Sequence, residues 1–164
     1  MIFEKKLMKI SKLTDYGMVI MAFMAKEQAG SLDGTEMPLL QAREISEQTS
    51  IALPTVSKLL KKLTKNKLLL SERGTTGGYK LAQSPKEITV AYLIEALEGR
   101  IALTQCNLGH NHCPTESLCA IRTPWLHIND VITKALTSVK LSDLIRATPF
   151  FNPGNQYVLH IQHN

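Results

Sequence analysis

Hydrophobic positions recur at helical spacing through the first third of the chain. Between residues 13 and 29 the apolar positions that keep this spacing are Leu13, Tyr16, Ile20, Phe23 and Met24. A shorter pattern covers about residues 41–48, with Ala42 and Ile45 on its apolar side. Since this spacing puts apolar side chains on one face of a helix, we predict a helix over each segment. Residues 30–38 between them have the composition of a loop.

A basic amphipathic helix is predicted for residues 53–65. Its apolar positions follow the spacing i, i+3, i+4, i+7 and are Val56, Leu59, Leu60 and Leu63. The lysines on the remaining faces are Lys58, Lys61, Lys62 and Lys65. Pro54 lies in the first turn, where its missing amide proton is not needed. Two short helices joined by about four residues, the second of them basic, are typical of a helix-turn-helix. A generic amphipathic helical hairpin is the alternative.

A β-hairpin is predicted for residues 67–82, directly after the basic helix. Two apolar segments flank a turn that contains Gly74, Gly77 and Gly78. A two-stranded hairpin is marginally stable alone, so we expect it to pack on the preceding helices as a wing. Arg73 stands near its tip, where an arginine can enter a minor groove. The glycines let the backbone approach a phosphate closely.

Two more helices are predicted in the second half of the chain. Thr89 caps the first, whose apolar positions are Val90, Leu93, Ile94 and Leu97, and Gly99 follows its end. Pro124 opens the second, and its apolar stripe comprises Trp125, Ile128, Ile132, Ala135, Leu136 and Val139. A last turn contains Leu141, Leu144 and Ile145. Because the longer helix follows a loop and has little of its own domain to pack on, we expect its stripe to pair with a second copy of the chain. The predicted fold is mainly α with a small β-hairpin.

The cysteines of the chain all lie in one loop between these two helices. Six residues separate Cys106 from Cys113 and five separate Cys113 from Cys119. The intervening residues are mostly turn formers, which offer a buried cysteine little core to join. An odd number of cysteines also argues against a set of disulfides. We therefore predict that the three thiolates converge on a metal ion or an iron-sulfur cluster.

Two other uses of these cysteines stay open. With His110 or His112 they form a donor set for a structural zinc site, although the short Cys-x2-Cys knuckles usual for zinc are absent. A bare thiol that senses oxidation is the second. An enzyme is not expected, because the chain has no Cys-x-x-Cys redox pair, phosphate-binding glycine motif or serine-histidine constellation. We accordingly expect no small-molecule substrate.

The placement of charge is more informative than the net charge of +5. Positions 58–80 hold seven cations and one acid, Glu72. This local excess is typical of a surface that meets the phosphates of double-stranded DNA, although a solvated lysine face is the simpler interpretation of any charge run. The chain shows no secretory signal and no apolar run long enough to cross a membrane, so we expect a cytoplasmic protein without a membrane partner.

These patterns divide the chain into five parts. Residues 1–7 are expected to be a disordered leader, and residues 8–98 a winged helix-turn-helix domain. Residues 99–121 form the cysteine loop that binds the cluster. Residues 122–147 contain the dimerisation helix and the last turn. Residues 148–164 are a turn-rich tail that we expect to be loosely ordered.

A winged helix-turn-helix followed by three closely spaced cysteines resembles the IscR and NsrR family of iron-sulfur transcription regulators. The resemblance covers residues 8–147 and is carried by Met8-Lys-Ile-Ser-Lys-Leu-Thr-Asp-Tyr-Gly17, by the wing Arg73-Gly-Thr-Thr-Gly-Gly-Tyr79 and by the cysteines leading to Trp125. The opening and the wing look most like the regulator of the SUF system, which controls genes for iron-sulfur cluster assembly. The resemblance implies a homodimeric, cluster-dependent repressor or activator. It favours a 2Fe-2S cluster and allows a 4Fe-4S cluster.

Roles for single residues follow from their positions on the basic helix and wing and from the resemblance. Thr55, Ser57 and Lys58 are expected to contact bases of a near-palindromic operator, and Lys61, Lys62 and Lys65 its phosphates. Arg73, Gly77 and Tyr79 are the expected contacts of the wing. Where some members carry a histidine three residues after the last cysteine, this chain has Arg122, which is permanently protonated and cannot bind iron. Other members complete the cluster with an acid at the position of Asp15 in the partner subunit. Asp15 is therefore the expected fourth ligand, with His110, His112 and a solvent or small molecule as alternatives.

Overall fold

The computed structural model describes residues 10–29, 37–110 and 112–147. The expected leader and tail lie outside the described residues. The described helices and strands follow the predicted order: α1 (Lys12–Ala29), α2 (Ala42–Thr49), α3 (Leu53–Lys65), β1 (Leu69–Glu72), β2 (Gly78–Leu81), α4 (Val90–Glu98), α5 (Arg122–Ser138) and α6 (Leu141–Ala147). Two short 3-10 turns, Gln105–Leu108 and Glu116–Leu118, lie in the cysteine loop. The mainly helical fold with a small hairpin is confirmed.

One hydrophobic core joins α1, α3 and α4 to the hairpin. All four predicted apolar positions of α3 are buried, and so are Ile20, Met21 and Met24 of α1. The prediction was wrong at the start of α1, where Leu13 is 39% exposed and Thr14 is fully buried. Thr14 is accommodated in the core because its hydroxyl donates a hydrogen bond to the Glu98 carboxylate.

Local hydrogen bonds explain where the helices begin and end. In the turn from α2 to α3 the chain takes a left-handed conformation at Ser50 (φ 55°), and the Ser46 hydroxyl donates to the Ile51 carbonyl at 2.7 Å. Thr89 caps α4 as predicted, its hydroxyl oxygen accepting from the Tyr92 amide at 3.0 Å. The predicted helix-turn-helix is therefore present, with α3 as its second helix.

The wing is held by residues outside its own two strands. β1 and β2 pair antiparallel, with Leu69 opposite Leu81 and Glu72 opposite Gly78. Leu40, just before α2, adds a bridge to β2 through two backbone hydrogen bonds with Tyr79 at 2.9 and 3.0 Å. Buried Gln28 of α1 donates to the Pro38 carbonyl and accepts from the Leu81 amide, both at 2.9 Å. These contacts fix the hairpin to α1 and α2.

The end of the described chain returns to the core. Leu141 of α6 is fully buried, and its amide donates to the Ile88 carbonyl at 2.9 Å. α6 packs against α1, although the sequence pattern grouped it with the dimerisation helix. Val139, expected on the stripe of that helix, lies just after it, and its carbonyl accepts from the Val90 amide at 2.9 Å.

Helix α5 contrasts with the other long helices. It begins at Arg122, two residues before Pro124, and none of its residues is buried. Trp125, Asn129, Ile132 and Leu136 are half-buried, whereas Ile128, Val131 and Ala135 are exposed. The apolar positions of α5 therefore divide into a row that faces its own chain and a row that faces outward, and Val131 of the outward row was not on the predicted stripe. In the part of the chain that the structure describes, no helix combines the length and the apolar content needed to cross a membrane.

Candidate nucleic-acid interface and cysteine loop

The outer face of α3 is a basic surface. Lys58, Lys61, Lys62 and Lys65 are all exposed, while Thr55 and Ser57 are half-buried. Ser57 and the four lysines line an open groove of about 830 Å³ between α3 and the last turn of α4. Thr55 lies in the first turn of α3 but does not line the groove. The structure thus brings most of the predicted reading residues together on one side of α3.

Lys62 has a partner within the protein. Its ammonium group donates a hydrogen bond to the carbonyl oxygen of Leu97, in the last turn of α4. Asn66, which follows α3, donates to the Ala96 carbonyl at 3.1 Å, and the Tyr92 hydroxyl donates to the Asn66 carbonyl at 2.6 Å. The C-terminal end of α3 is therefore attached to α4, and Lys62 is part of that attachment.

Glu98 connects the last turn of α4 to the start of α1. The sequence patterns did not single out this residue. Its carboxylate accepts hydrogen bonds from the Ser11 amide at 2.9 Å and from the Thr14 hydroxyl. The bond from Thr14, helped by those from Ser11 and by the charge of Lys62, lowers the pKa of Glu98. An acid in the last turn of a helix opposes the helix dipole. An acid at this unfavourable position is the feature of the sequence that could have indicated a specific partner for Glu98.

The three predicted DNA contacts of the wing differ in how far they are exposed to solvent. Arg73 is exposed beyond the end of β1, whereas the ring of Tyr79 packs partly against the core. A Cβ on Gly77 would lie 2.3 Å from the Glu72 carbonyl oxygen, so a glycine is needed there for the hairpin itself. Arg73 is the only one of the three whose side chain is fully available to DNA in this structure.

The cysteine loop is fastened to α5 by two asparagines. Asn107 donates to the Trp125 carbonyl at 3.4 Å, and Asn129 accepts from the Leu103 amide at 3.0 Å. Cys106, Cys113 and Cys119 are half-buried, and none forms a disulfide. The sulfur of Cys106 lies 3.0 Å from the Thr104 hydroxyl, and that of Cys113 lies 3.4 Å from the Thr115 hydroxyl.

A single chain does not assemble the predicted metal site in this structure. Among residues 10–29, 37–110 and 112–147, no three His, Cys, Asp or Glu side chains are grouped so that they could hold one metal ion. Asp15 is exposed in the first turn of α1. The donor chemistry nevertheless fits iron, because soft thiolates are the ligands that iron-sulfur clusters use.

Several large apolar side chains are exposed in the cysteine loop, on α5 and near the start of α1. The cysteine loop exposes Leu118 (90%) and Leu108, and α5 exposes Ile128 and Val131. The start of α1 exposes Ile10 and Leu13, close in sequence to Asp15.

The profile of the Rrf2 family, described as iron-dependent transcriptional regulators, matches residues 10–147. The chain belongs to the Rrf2 family. It is similar to the transcriptional regulator NsrR of Oceanobacillus iheyensis, with 30% identity over 140 residues that cover 85% of this chain and 90% of that protein. It is also similar to the regulator IscR of Pectobacterium carotovorum, with 35% identity over 102 residues, and the match spans only 62% of the length of either protein.

Solved structures of Rrf2-type regulators share the fold. CymR of B. subtilis, described as its global cysteine regulator, is 27% identical with a TM-score of 0.65, and the match covers 87% of this chain and 99% of CymR. IscR of T. potens is 26% identical with a TM-score of 0.60, covering 85% of this chain and 88% of that one. The predicted resemblance to IscR and NsrR regulators is confirmed. Membership of a regulator family also confirms the prediction that the chain is not an enzyme.

Proposed function

We propose that this Rrf2-family chain is a dimeric DNA-binding transcription regulator whose cysteine loop holds an iron-sulfur cluster and whose operator affinity depends on the cluster. The observation that carries the proposal is the loop of three half-buried, unbridged cysteines placed directly before a helix without buried residues. The family description as iron-dependent regulators supports it. By resemblance to the SUF-system regulator, the regulated genes are those of iron-sulfur cluster assembly, and a 2Fe-2S cluster is favoured over 4Fe-4S.

The basic face of α3 supports DNA binding through a major groove. Thr55, Ser57 and Lys58 lie in the N-terminal half of α3 and are proposed to contact base edges. Lys61 and Lys65, exposed on the groove lined by α3 and α4, are proposed to contact phosphates, and Arg73 of the wing a minor groove. A twofold dimer would place two such helices about one helical turn apart, which requires a near-palindromic operator.

A second copy of the chain is the proposed partner of α5. Its outward row of Ile128, Val131 and Ala135 is not covered by any described part of the chain. Apolar side chains in such a row are stabilised by burial against a like surface, and a twofold axis supplies one. The same twofold axis would relate the two reading helices, as a near-palindromic operator requires.

In a dimer, the partner subunit can supply the fourth ligand to the cluster in the cysteine loop. The loop exposes Leu108 and Leu118, and the start of α1 exposes Ile10 and Leu13 next to Asp15. If these two apolar surfaces cover each other across the twofold axis, Asp15 of one subunit reaches the cysteines of the other. The carboxylate is a harder and more exchangeable ligand to iron than a thiolate, which suits a responsive centre.

Anaerobic purification with absorption and paramagnetic resonance spectra tests the cluster. We expect a coloured protein with iron and acid-labile sulfide, and different operator affinities for the loaded and the cluster-free forms. Cys113→Ser should lose the colour, whereas Ser117→Ala, an exposed position in the same loop, should keep it. A colourless protein with one zinc ion per chain would establish the zinc alternative. A colourless, metal-free protein whose DNA binding responds to peroxide would establish the thiol sensor.

The fourth ligand is tested by comparing Asp15→Ala with a His110→Ala, His112→Ala double variant after anaerobic reconstitution. We expect Asp15→Ala to shift the spectrum and to weaken the dependence of DNA binding on the cluster, while the histidine variant behaves as the native protein. The reverse pattern would assign the ligand to the loop histidines.

A further inference from the structure

The last turn of α4 joins three helices through polar contacts. The Glu98 carboxylate accepts from the Ser11 amide and the Thr14 hydroxyl at the start of α1. The neighbouring Leu97 carbonyl accepts from the ammonium group of Lys62 on α3. Carbonyls in the last turn of a helix have no partner within the helix, and a cation there also interacts favourably with the helix dipole. Lys62 therefore supplies a hydrogen-bond donor and a positive charge to the C-terminal end of α4.

Close packing supports these polar contacts. A Cβ on Gly17 of α1 would lie 2.3 Å from a methyl carbon of Leu97, so α1 and α4 touch here without room for a side chain. Thr14 is fully buried, and Leu97 is 4% exposed. The start of α1 and the last turn of α4 are thus held against each other. Asn66 and Tyr92 add the hydrogen bonds that attach the end of α3 to α4.

The position of α3 is therefore set by its contacts with α4, beside the groove that Ser57 and Lys58 also line. We propose that Lys62 and Glu98 are positioning residues for DNA recognition: they hold α3 at the angle that presents Thr55, Ser57 and Lys58 to bases. Lys62 then differs from Lys61, its neighbour in sequence, because its ammonium group binds the C-terminal end of α4 and does not contact a phosphate. This inference rests on the proposed role of α3 as the reading helix and revises the expectation that Lys62 is a phosphate contact.

A pair of neutralised acids on α4 tests the role of Glu98. Glu98→Gln and Glu95→Gln each remove one negative charge from a residue that lines the groove beside α3. Through electrostatics alone, both should tighten binding to any DNA. As a positioning residue, Glu98 should instead be needed for specific binding. Glu98→Gln should weaken binding to an operator duplex selected by the native protein by about tenfold, the scale of a hydrogen bond to a charged group, whereas Glu95→Gln should not weaken it.

A pair of neutralised lysines on α3 tests the role of Lys62. Lys61→Met should weaken binding to the operator and to random DNA alike and should lower the salt dependence by about one counterion. Lys62→Met should weaken binding to the operator more than to random DNA and leave the salt dependence unchanged. The inference is overturned if Lys62→Met behaves like Lys61→Met, or if Glu98→Gln binds the operator as well as the native protein.

Two controls separate this inference from folding and from the proposed function. Melting curves identify variants that do not fold; if Glu98→Gln is among them, Thr14→Val and Thr14→Ser examine the same hydrogen bond. Only Thr14→Ser, which keeps the hydroxyl, should retain operator binding. Loss of operator affinity in both, or in neither, would contradict the inference. If Lys58→Ala and Lys61→Met do not affect operator binding, α3 is not the reading helix, and the proposed function fails independently of this inference.

Discussion

At the scale of single residues, the same type of side chain has different roles depending on its neighbours. Lys61 and Lys62 are adjacent and both exposed, but Lys62 donates to the end of α4. Leu13 and Thr14 show that the type of residue alone does not decide burial, because the leucine is exposed and the threonine is buried. A polar side chain is stable in the core when it has a hydrogen-bond partner, and Glu98 supplies that partner to Thr14.

The ionisation of Glu98 should make a small part of the stability depend on pH. The Thr14 hydroxyl, the Ser11 amide and the Lys62 ammonium favour the charged carboxylate and lower its pKa below the ordinary 4.5. This contribution is fully present above the unfolded-state pKa and is lost as the pH falls through the lower folded-state pKa. Because Glu98 is largely exposed, solvent screening keeps the effect modest.

Thermal melting of native protein and Glu98→Gln across a pH series measures this contribution. We expect the native protein to melt higher near neutral pH and the difference to shrink as the pH falls below the ordinary pKa of 4.5 and the carboxylate is protonated. Glu95→Gln serves as the control for general charge effects on the same helix. A melting difference that stays constant down to strongly acid pH would contradict the prediction.

At the scale of elements, the wing depends on contacts made outside it. Each strand has four residues, and a hairpin of that size is only marginally stable alone. Burial of Leu69 and Leu81 in the core stabilises it, and so do the Leu40 bridge and Gln28, whose side chain reaches both Pro38 and Leu81. Gly78 allows the Leu40 bridge, because a Cβ there would lie 2.8 Å from the Leu40 carbonyl oxygen.

Gly78→Ala should therefore weaken the attachment of the wing to α2. The backbone must shift to relieve the contact, so we expect the free energy of unfolding to fall by about 1–3 kcal/mol. Exchange of the Tyr79 amide proton, which donates to Leu40, should become faster. Chemical denaturation and hydrogen exchange give the two measurements. Thr75→Ala, at the exposed tip, should change neither, and an equally protected Tyr79 amide in Gly78→Ala would refute the explanation.

At the scale of the whole molecule, the described chain leaves apolar side chains of α5 uncovered. α5 has no buried residue, although α6, which follows it, returns to a fully buried position at Leu141. Within α5, the half-buried row contacts its own chain through residues such as Asn129, which binds the backbone at Leu103. The outward row of Ile128 and Val131 is the part that a second subunit would cover.

Charged substitutions in the outward row should separate the proposed dimer. Ile128→Glu with Val131→Glu should give a folded monomer in sedimentation experiments, because burying two carboxylates in an apolar interface is strongly unfavourable. This monomer should also bind a palindromic operator more weakly than the native protein does. Ile128→Leu keeps the apolar surface and should remain dimeric. A double variant that still sediments as a dimer would show that α5 is not the interface.

Much of the local structure was determined by the sequence itself. The four inward positions of α3, the Thr89 cap of α4 and the glycine-containing turn of the wing were predicted correctly because each depends on residues close together in the chain. The motifs of the opening, the wing and the cysteine loop also identified the family, which the profile match confirms. The ligand set and the DNA contacts stay predictions.

Contacts between distant residues were decided only by the tertiary structure. Thr14 and Glu98 are 84 positions apart, and Lys62 and Leu97 are 35 apart. The burial of Gln28, the return of α6 and the two rows of α5 likewise depend on which elements become neighbours. Periodicity shows which face of a helix is apolar, but it does not show which distant group satisfies a polar atom or covers an apolar one. That choice is made when the helices pack, since only packing brings those groups within hydrogen-bonding distance.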